Sequence, residues 1–240
     1  MPRPFERLWV FGDSHTTPGL AVSPQDSFWG LAAETLDIAV IMNCSRPRNS
    51  WTSVQQLLVG MSGQINWQND LVFIGIPTLE RITVFDNYKD TGYLGHKITR
   101  KGWSKENVPI ACHHGLVCLQ NYGTDKQLIL HSDRSWLETD VMRQIFLLSS
   151  WLESVSANYL ILNLSRDLDR NNRWGPSEFL LDYCMKLKPS ILFEKTYQGI
   201  NIGVNQPDDM VNLEGHHGPA GNRYFFDNSL LPKLKECGLC

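Results

Sequence analysis

The sequence predicts a three-layer, doubly wound α/β fold around a mainly parallel central sheet, and three observations predict it. Short continuous apolar runs recur along the chain: Arg7 to Gly12 (RLWVFG), Ile38 to Met42 (IAVIM), Leu71 to Ile76 (LVFIGI) and Tyr159 to Leu164 (YLILNL). Strands covered on both faces read this way because neither face needs to be polar. Segments with helical spacing lie between these runs, and no internal repeat or low-complexity tract breaks the alternation. Alternating strands and helices build a parallel sheet with helices on both sides.

The elements follow in order. The first run stops at Gly12-Asp13-Ser14, where a glycine ends a buried strand in a tight turn. Ser27 to Leu36 sets Phe28, Leu31, Ala32 and Leu36 on one helical face, and the IAVIM strand completes a β-α-β unit. Trp51 to Met61 predicts a second helix and Leu71 to Ile76 the third strand. From about Thr83 to Ser135 the rhythm fails, and this stretch is expected to be an insertion over one end of the sheet that selects substrate. Val141, Ile145, Leu148, Trp151, Leu152 and Val155 predict a helix over Glu138 to Ser156, followed by the YLILNL strand. Ser177 to Met185 is expected as a helix, Ile191 to Phe193 as a short strand, and a final helix opens near Pro219 with Tyr224, Phe225, Leu230 and Leu234. All of 1–240 is expected to form one domain: 240 residues, 42% hydrophobic and 20% charged, support one substantial core and not two.

Composition narrows the partners. A formal net charge of -3 leaves no basic surplus for nucleic acid. No apolar run reaches the roughly 18 residues of a membrane span, and the first residues lack the apolar stretch of a signal peptide, so a soluble, cytoplasmic protein is expected. The remaining partner is a small molecule or a neutral polymer. The six cysteines (Cys44, Cys112, Cys118, Cys184, Cys237, Cys240) have no repeating spacing and are expected to be reduced. Cys112-His113-His114 with Cys118, and Cys237-Gly-Leu-Cys240, have metal-like spacing, but the second has no partner pair and the ordinary reading of the first is a loop that happens to hold soft residues. No metal and no other cofactor is expected.

Two segments carry chemistry. In Phe11-Gly12-Asp13-Ser14-His15-Thr16 the turn can lift a serine hydroxyl out of the sheet toward a ligand beyond the carboxyl ends of the strands. The bland alternative is a helix cap made by Ser14. Near the other end, Leu213-Glu214-Gly215-His216-His217-Gly218-Pro219-Ala220-Gly221 offers a histidine and a carboxylate on one loop. A serine nucleophile needs such a base, held in one tautomer by an acid. Asp13 and His15 flank the serine; Asp13 is also suited to fix the turn as a buried acceptor, and His15 to pack or cap. Asp208-Asp209 is a second possible acid, though a solvated loop pair is its ordinary state. Trp51, Trp103, Trp136 and Trp174 suit a sugar-binding groove, although such residues are more often core.

Together the two segments resemble the first and last sequence blocks of the SGNH (GDSL) hydrolase superfamily, and the similarity spans the chain. The resemblance implies a flavodoxin-like α/β fold and a serine hydrolase with Ser14 as nucleophile, His216 as base and Glu214 as acid. The distance from His216 to Gly221 matches the family; the acid-x-x-His variant pairs Glu214 with His217 instead. The oxyanion hole that the resemblance implies is made by the N–H groups of Ser14 and Arg48, Arg48 standing at the family's second-block glycine. Its third member is Thr78, because the third block, normally Gly-x-Asn-Asp, here reads Gly75-Ile76-Pro77-Thr78 and Pro77 has no N–H to donate. Asp13, His15, Arg81 and His217 are the implied substrate contacts. Gly-x-x-Thr-x-x-Arg is similar to subgroups found in bacterial surface-polysaccharide and phage proteins. The implied substrate is a small ester or an acylated carbohydrate. An O-acyltransferase, or a carbohydrate-binding module that has lost its oxyanion hole, uses the same fold.

Overall fold

The computed structural model describes residues 5–17, 22–47, 49–77, 94–110, 139–164, 186–188, 190–192 and 217–240 in full, and 82–85, 116–119 and 134–138 as backbone. Five parallel strands form the centre: β1 (Arg7–Phe11), β2 (Val40–Asn43), β3 (Leu71–Ile76), β8 (Asn158–Asn163) and β9 (Ile191–Leu192). β1 lies in the middle of the sheet, between β2 and β3, with β8 and then β9 beyond β3.

Strand alternation divides the core into two layers. Trp9, Phe11, Val72, Ile74, Ile76, Tyr159 and Ile161 meet α2 (Trp51–Met61) and α3 (Arg134–Ser154) on one face. On the other, Leu8, Val10, Leu71, Phe73, Leu160 and Leu162 meet α1 (Phe28–Thr35), α4 (Pro219–Phe225), a π-helical turn (Phe226–Leu230) and α5 (Leu231–Glu236). Both layers are dry, which is why the strands read as uninterrupted apolar runs.

The second strand begins at Val40, two residues later than the apolar run suggests, because Ile38 belongs to the end of α1. Its N–H reaches back to the Ala33 carbonyl (2.8 Å) and that of Asp37 to Glu34 (3.2 Å), with Asp37 in the left-handed region at φ 53°. This reciprocal pair satisfies carbonyls that a helix end leaves bare. The end of α3 repeats it: Ala157 reaches Leu152, Ser156 reaches Glu153, and Ser156 has φ 54°.

The stretch that reads as patternless contains four strands. β5 (Leu94–Thr99) pairs antiparallel with β2, setting Asn43 opposite His96, and β6 (Ser104–Pro109) pairs with β5 to form the edge. β4 (Ile82–Phe85) and β7 (Leu116–Leu119) form a separate antiparallel pair. β5 and β6 escape a search for apolar runs because most of their side chains face solvent. The expected helix at 177–185 lies outside the described residues.

At the amino ends of the strands one carboxylate gathers the chain. Asp70 is wholly buried and accepts from the Arg7 guanidinium (3.2 and 2.8 Å), the Trp9 indole N–H (2.8 Å) and the Asn66 N–H (2.9 Å). Asn158 donates nearby to the carbonyl of Gln68 at 3.0 Å. Among the described residues no helix is long and apolar enough to cross a membrane.

Candidate active site

Ser14 sits just past the carboxyl end of the central strand, half-buried, in a turn that the flanking residues close. A Cβ on Gly12 would stand 2.4 Å from the Thr16 Oγ1, so the fold-back of the chain leaves room only for glycine. The Asp13 carbonyl accepts from the Thr16 N–H (3.1 Å) and from the hydroxyls of Thr16 (3.0 Å) and Thr17 (2.8 Å). The Asp13 carboxylate is fully buried and accepts from the His15 N–H at 3.0 Å, the local bond by which aspartates shape turns. Asp13 is thereby placed to hold the turn rather than to face solvent. His15 is half-buried beside the serine.

The loop after β2 clamps this turn from the side. Asn43 donates to the Thr16 carbonyl (2.8 Å) and accepts from the Ser45 N–H (2.9 Å); Asn49 donates to the Gly12 carbonyl (2.8 Å). The Arg46 N–H also reaches the Gly12 carbonyl, at 3.3 Å. Both asparagines are buried; losing the Asn43 donor takes a hydrogen bond from the buried Thr16 carbonyl at a cost of about 1–3 kcal/mol, whereas the Gly12 carbonyl keeps the Arg46 N–H if Asn49 is lost. Sequence reasoning assigned these two residues no role; the available signal was two asparagines within an apolar strand end and the loop that follows it. Cys44, between them and the core, is not a nucleophile: burial pushes its thiol up to about 12.

β3 ends at Ile76, and Pro77 follows it, buried and without an N–H to offer. A Cβ on Gly75 would lie 2.3 Å from Leu164, so the glycine lets the ends of β3 and β8 close together.

On the last block, His217 is buried, and Asn222 fixes its backbone. The Asn222 side chain donates to the carbonyls of His217 (2.9 Å) and Gly218 (3.0 Å) and accepts from the Phe28 N–H (3.0 Å). Phe28 and Phe225 add an edge-to-face contact at 5.2 Å. Because α1 returns from the carboxyl end of β1 to the amino end of β2, its first residue lies at the same edge of the sheet as Ser14. Asn222 therefore carries the last block to that edge across 194 positions of sequence. It too was missed, hidden among helix-forming residues.

Of the expected site residues, the structure places Asp13, Ser14, His15 and His217 at one edge of the sheet. Arg48, Thr78, Arg81, Glu214 and His216 lie outside the described residues, as do Asp208 and Asp209. Trp51 is in the core and Trp103 packs partly buried against it, while Trp174 is outside the described residues and only the backbone of Trp136 is described. Cys112, His113 and His114 are outside as well. Among the described residues no three of His, Cys, Asp and Glu are grouped to hold a metal ion.

No protein-family model matches the chain, and no curated protein matches it significantly. Solved structures do. TesA superposes with a TM-score of 0.54 at 12% identity, over 97% of this chain and 99% of that one. The fold is of the SGNH hydrolase type. The psychrotrophic esterase EstA from Pseudoalteromonas sp., inhibited by monoethylphosphonate, is also similar, with 9% identity, a TM-score of 0.49, and coverage of 96% of this chain and 97% of that one. In the SGNH-type fold of this chain, the turn bearing Ser14 occupies the carboxyl edge where α/β sheets of this kind bind their ligands.

Proposed function

We propose that this chain, acting as a single domain, is a serine hydrolase of carboxylic esters, with O-acetyl groups on carbohydrate as its substrate. One observation carries the reading: Ser14 stands at the end of the central parallel strand, in a turn that Asn43 and Asn49 hold rigid through buried hydrogen bonds. A serine that only capped a helix would not need two other loop residues to fix the carbonyls of Gly12 and Thr16 on either side of it.

In this mechanism the Ser14 hydroxyl oxygen attacks the acyl carbon while His216 takes its proton, and Glu214 steadies the resulting imidazolium. The tetrahedral oxyanion is received by the N–H groups of Ser14 and Arg48 and by the Thr78 hydroxyl. The C–O bond to the alcohol then breaks, and the alcohol leaves with the proton from His216. Water, deprotonated by the same imidazole, attacks the acyl-serine; the bond from the acyl carbon to the Ser14 oxygen breaks, that oxygen takes the proton back from His216, and the carboxylic acid leaves. A sugar hydroxyl in place of that water makes the reaction an acyl transfer. His15, Arg81 and His217 contact the bound ester, while the buried Asp13, expected from the sequence to touch substrate as well, holds the turn beneath it.

A short-chain p-nitrophenyl ester and a serine-directed phosphonate test the reading on the wild type, Ser14→Ala, His216→Ala and His217→Ala. Labelling of Ser14, and turnover lost in Ser14→Ala and His216→Ala and falling below about pH 6, is expected, since the base must be neutral. If His217→Ala alone abolishes turnover, that residue is the base. Pro77 favours a second reading, a binding module on a decayed oxyanion hole, because losing one donor there costs about 100- to 1000-fold in turnover. An unlabelled Ser14, with equal rates in Ser14→Ala and wild type, would establish the second reading.

A further inference from the structure

The carboxyl edge of the sheet holds a polar group that the protein itself does not satisfy. Asn163 ends β8 and is 1% exposed, yet among the described residues neither its Nδ2 nor its Oδ1 has a hydrogen-bond partner. An amide in this state forfeits the hydration of each polar atom with no bond in return, and native structures keep very few of them. Leucine has the same branched outline and as many side-chain heavy atoms, and it carries no such penalty. The residue also interrupts an otherwise apolar strand, YLILNL, at one position only.

Register places it relative to the serine. Asn163 pairs with Ile76, which lies two residues beyond Ile74, the partner of Phe11. Asn163 therefore stands at the height of the Ser14 turn, two strands across the sheet. Alternation puts it on the face of Tyr159, Ile161 and Ile76, beneath α2 and α3. The same layer contains a second unsatisfied donor, the Trp51 indole N–H at the start of α2. Asn49, two residues before Trp51, is the residue that holds Gly12.

Distance decides what such a group can do. Two strand spacings amount to roughly 10 Å, too far for an amide to reach an oxyanion on Ser14, and about the span from an ester carbonyl across one sugar ring. We propose that Asn163 is the polar anchor of a substrate subsite that takes a neutral group able both to donate and to accept a hydrogen bond, a sugar hydroxyl or amide one ring away from the scissile ester. An amide presents both functions and no charge, and the surrounding apolar layer disfavours an ionic ligand. This inference rests on Ser14 being the reacting group.

The test compares Asn163→Leu with wild type on p-nitrophenyl acetate and on methyl glucosides mono-acetylated at each hydroxyl in turn. Expected is a fall in kcat/KM of about 10- to 100-fold on the best sugar ester, an unchanged rate on p-nitrophenyl acetate, and a melting temperature raised by about 2–6 °C. Equal losses on both substrates, or no loss on the sugar ester, would overturn the proposal. Asn163→Ala serves in its place if the leucine variant does not fold. Phosphonate labelling of Ser14 separates the two readings. Should Ser14 prove inert, saturation-transfer NMR of the same sugar esters is read instead: a transfer signal seen with wild type and absent with the variant supports the subsite, and equal signals from both end it.

Discussion

Both ends of the parallel sheet enclose polar groups, but they satisfy them unequally. At the amino ends, the Asp70 carboxylate is fully enclosed and receives donors from Arg7, Trp9 and Asn66. At the carboxyl ends, the neutral Asn163 amide and the Trp51 indole are enclosed and receive nothing among the described residues. A charge is far costlier to bury than an amide, so the Asp70 carboxylate is the group whose bonding the fold itself must complete. On the function proposed above, the amino end is finished by folding, whereas the carboxyl end is left to complete its bonding with a ligand.

That contrast can be broken by substitution. The largest effect is expected at the carboxyl edge: Ser14→Ala should lower ester turnover by roughly 10⁴-fold or more and leave the melting temperature unchanged. Next comes Asp70→Ala, which strands the buried Trp9 indole N–H while the part-exposed Arg7 guanidinium keeps the Gln64 carbonyl, and should cost about 1–3 kcal/mol in denaturant unfolding, with turnover per folded molecule preserved. A large loss of turnover there would show that the two ends are not independent. Asn222→Ala should show both behaviours, losing about 1–3 kcal/mol and also turnover, because it frees the backbone of His217 from α1.

The smallest effect concerns pH. Burial raises the Cys44 thiol from 9.0 to about 12. Below pH 9 neither the folded nor the unfolded chain ionises it, so it contributes nothing to the pH dependence there. Between 9 and 12 only the unfolded chain does, and stability should fall as pH rises through that window. Cys44→Ala should remove this part of the alkaline slope. In the native protein at about pH 8, Ellman's reagent should reach the exposed Cys240 and not Cys44.

The sequence made legible those elements whose burial is two-sided. RLWVF, LVFIGI and YLILN show their strands because each residue meets a dry layer, and Trp51 to Met61 shows its helix through a buried stripe. LGHKIT and SKENVP stayed opaque, since a hairpin at a sheet margin needs few apolar residues. In the site, Gly12-Asp13-Ser14 was readable because a turn demands glycine at a fixed place. Asn43, Asn49 and Asn222 were not, because their work is to join segments distant in sequence and no spacing rule encodes that. Asn163 left a mark that only register could interpret.

The β5–β6 hairpin has a further consequence for how these molecules behave in crowded solution. A sheet that stopped at β2 would present a buried-type strand with open backbone groups to any passing chain. The last strand on that side instead carries Lys105, Glu106 and Pro109, and its side chains project almost entirely into water. Charge and proline at that position make it a poor template for intermolecular pairing, so the polar hairpin acts as a guard against fibrous self-association.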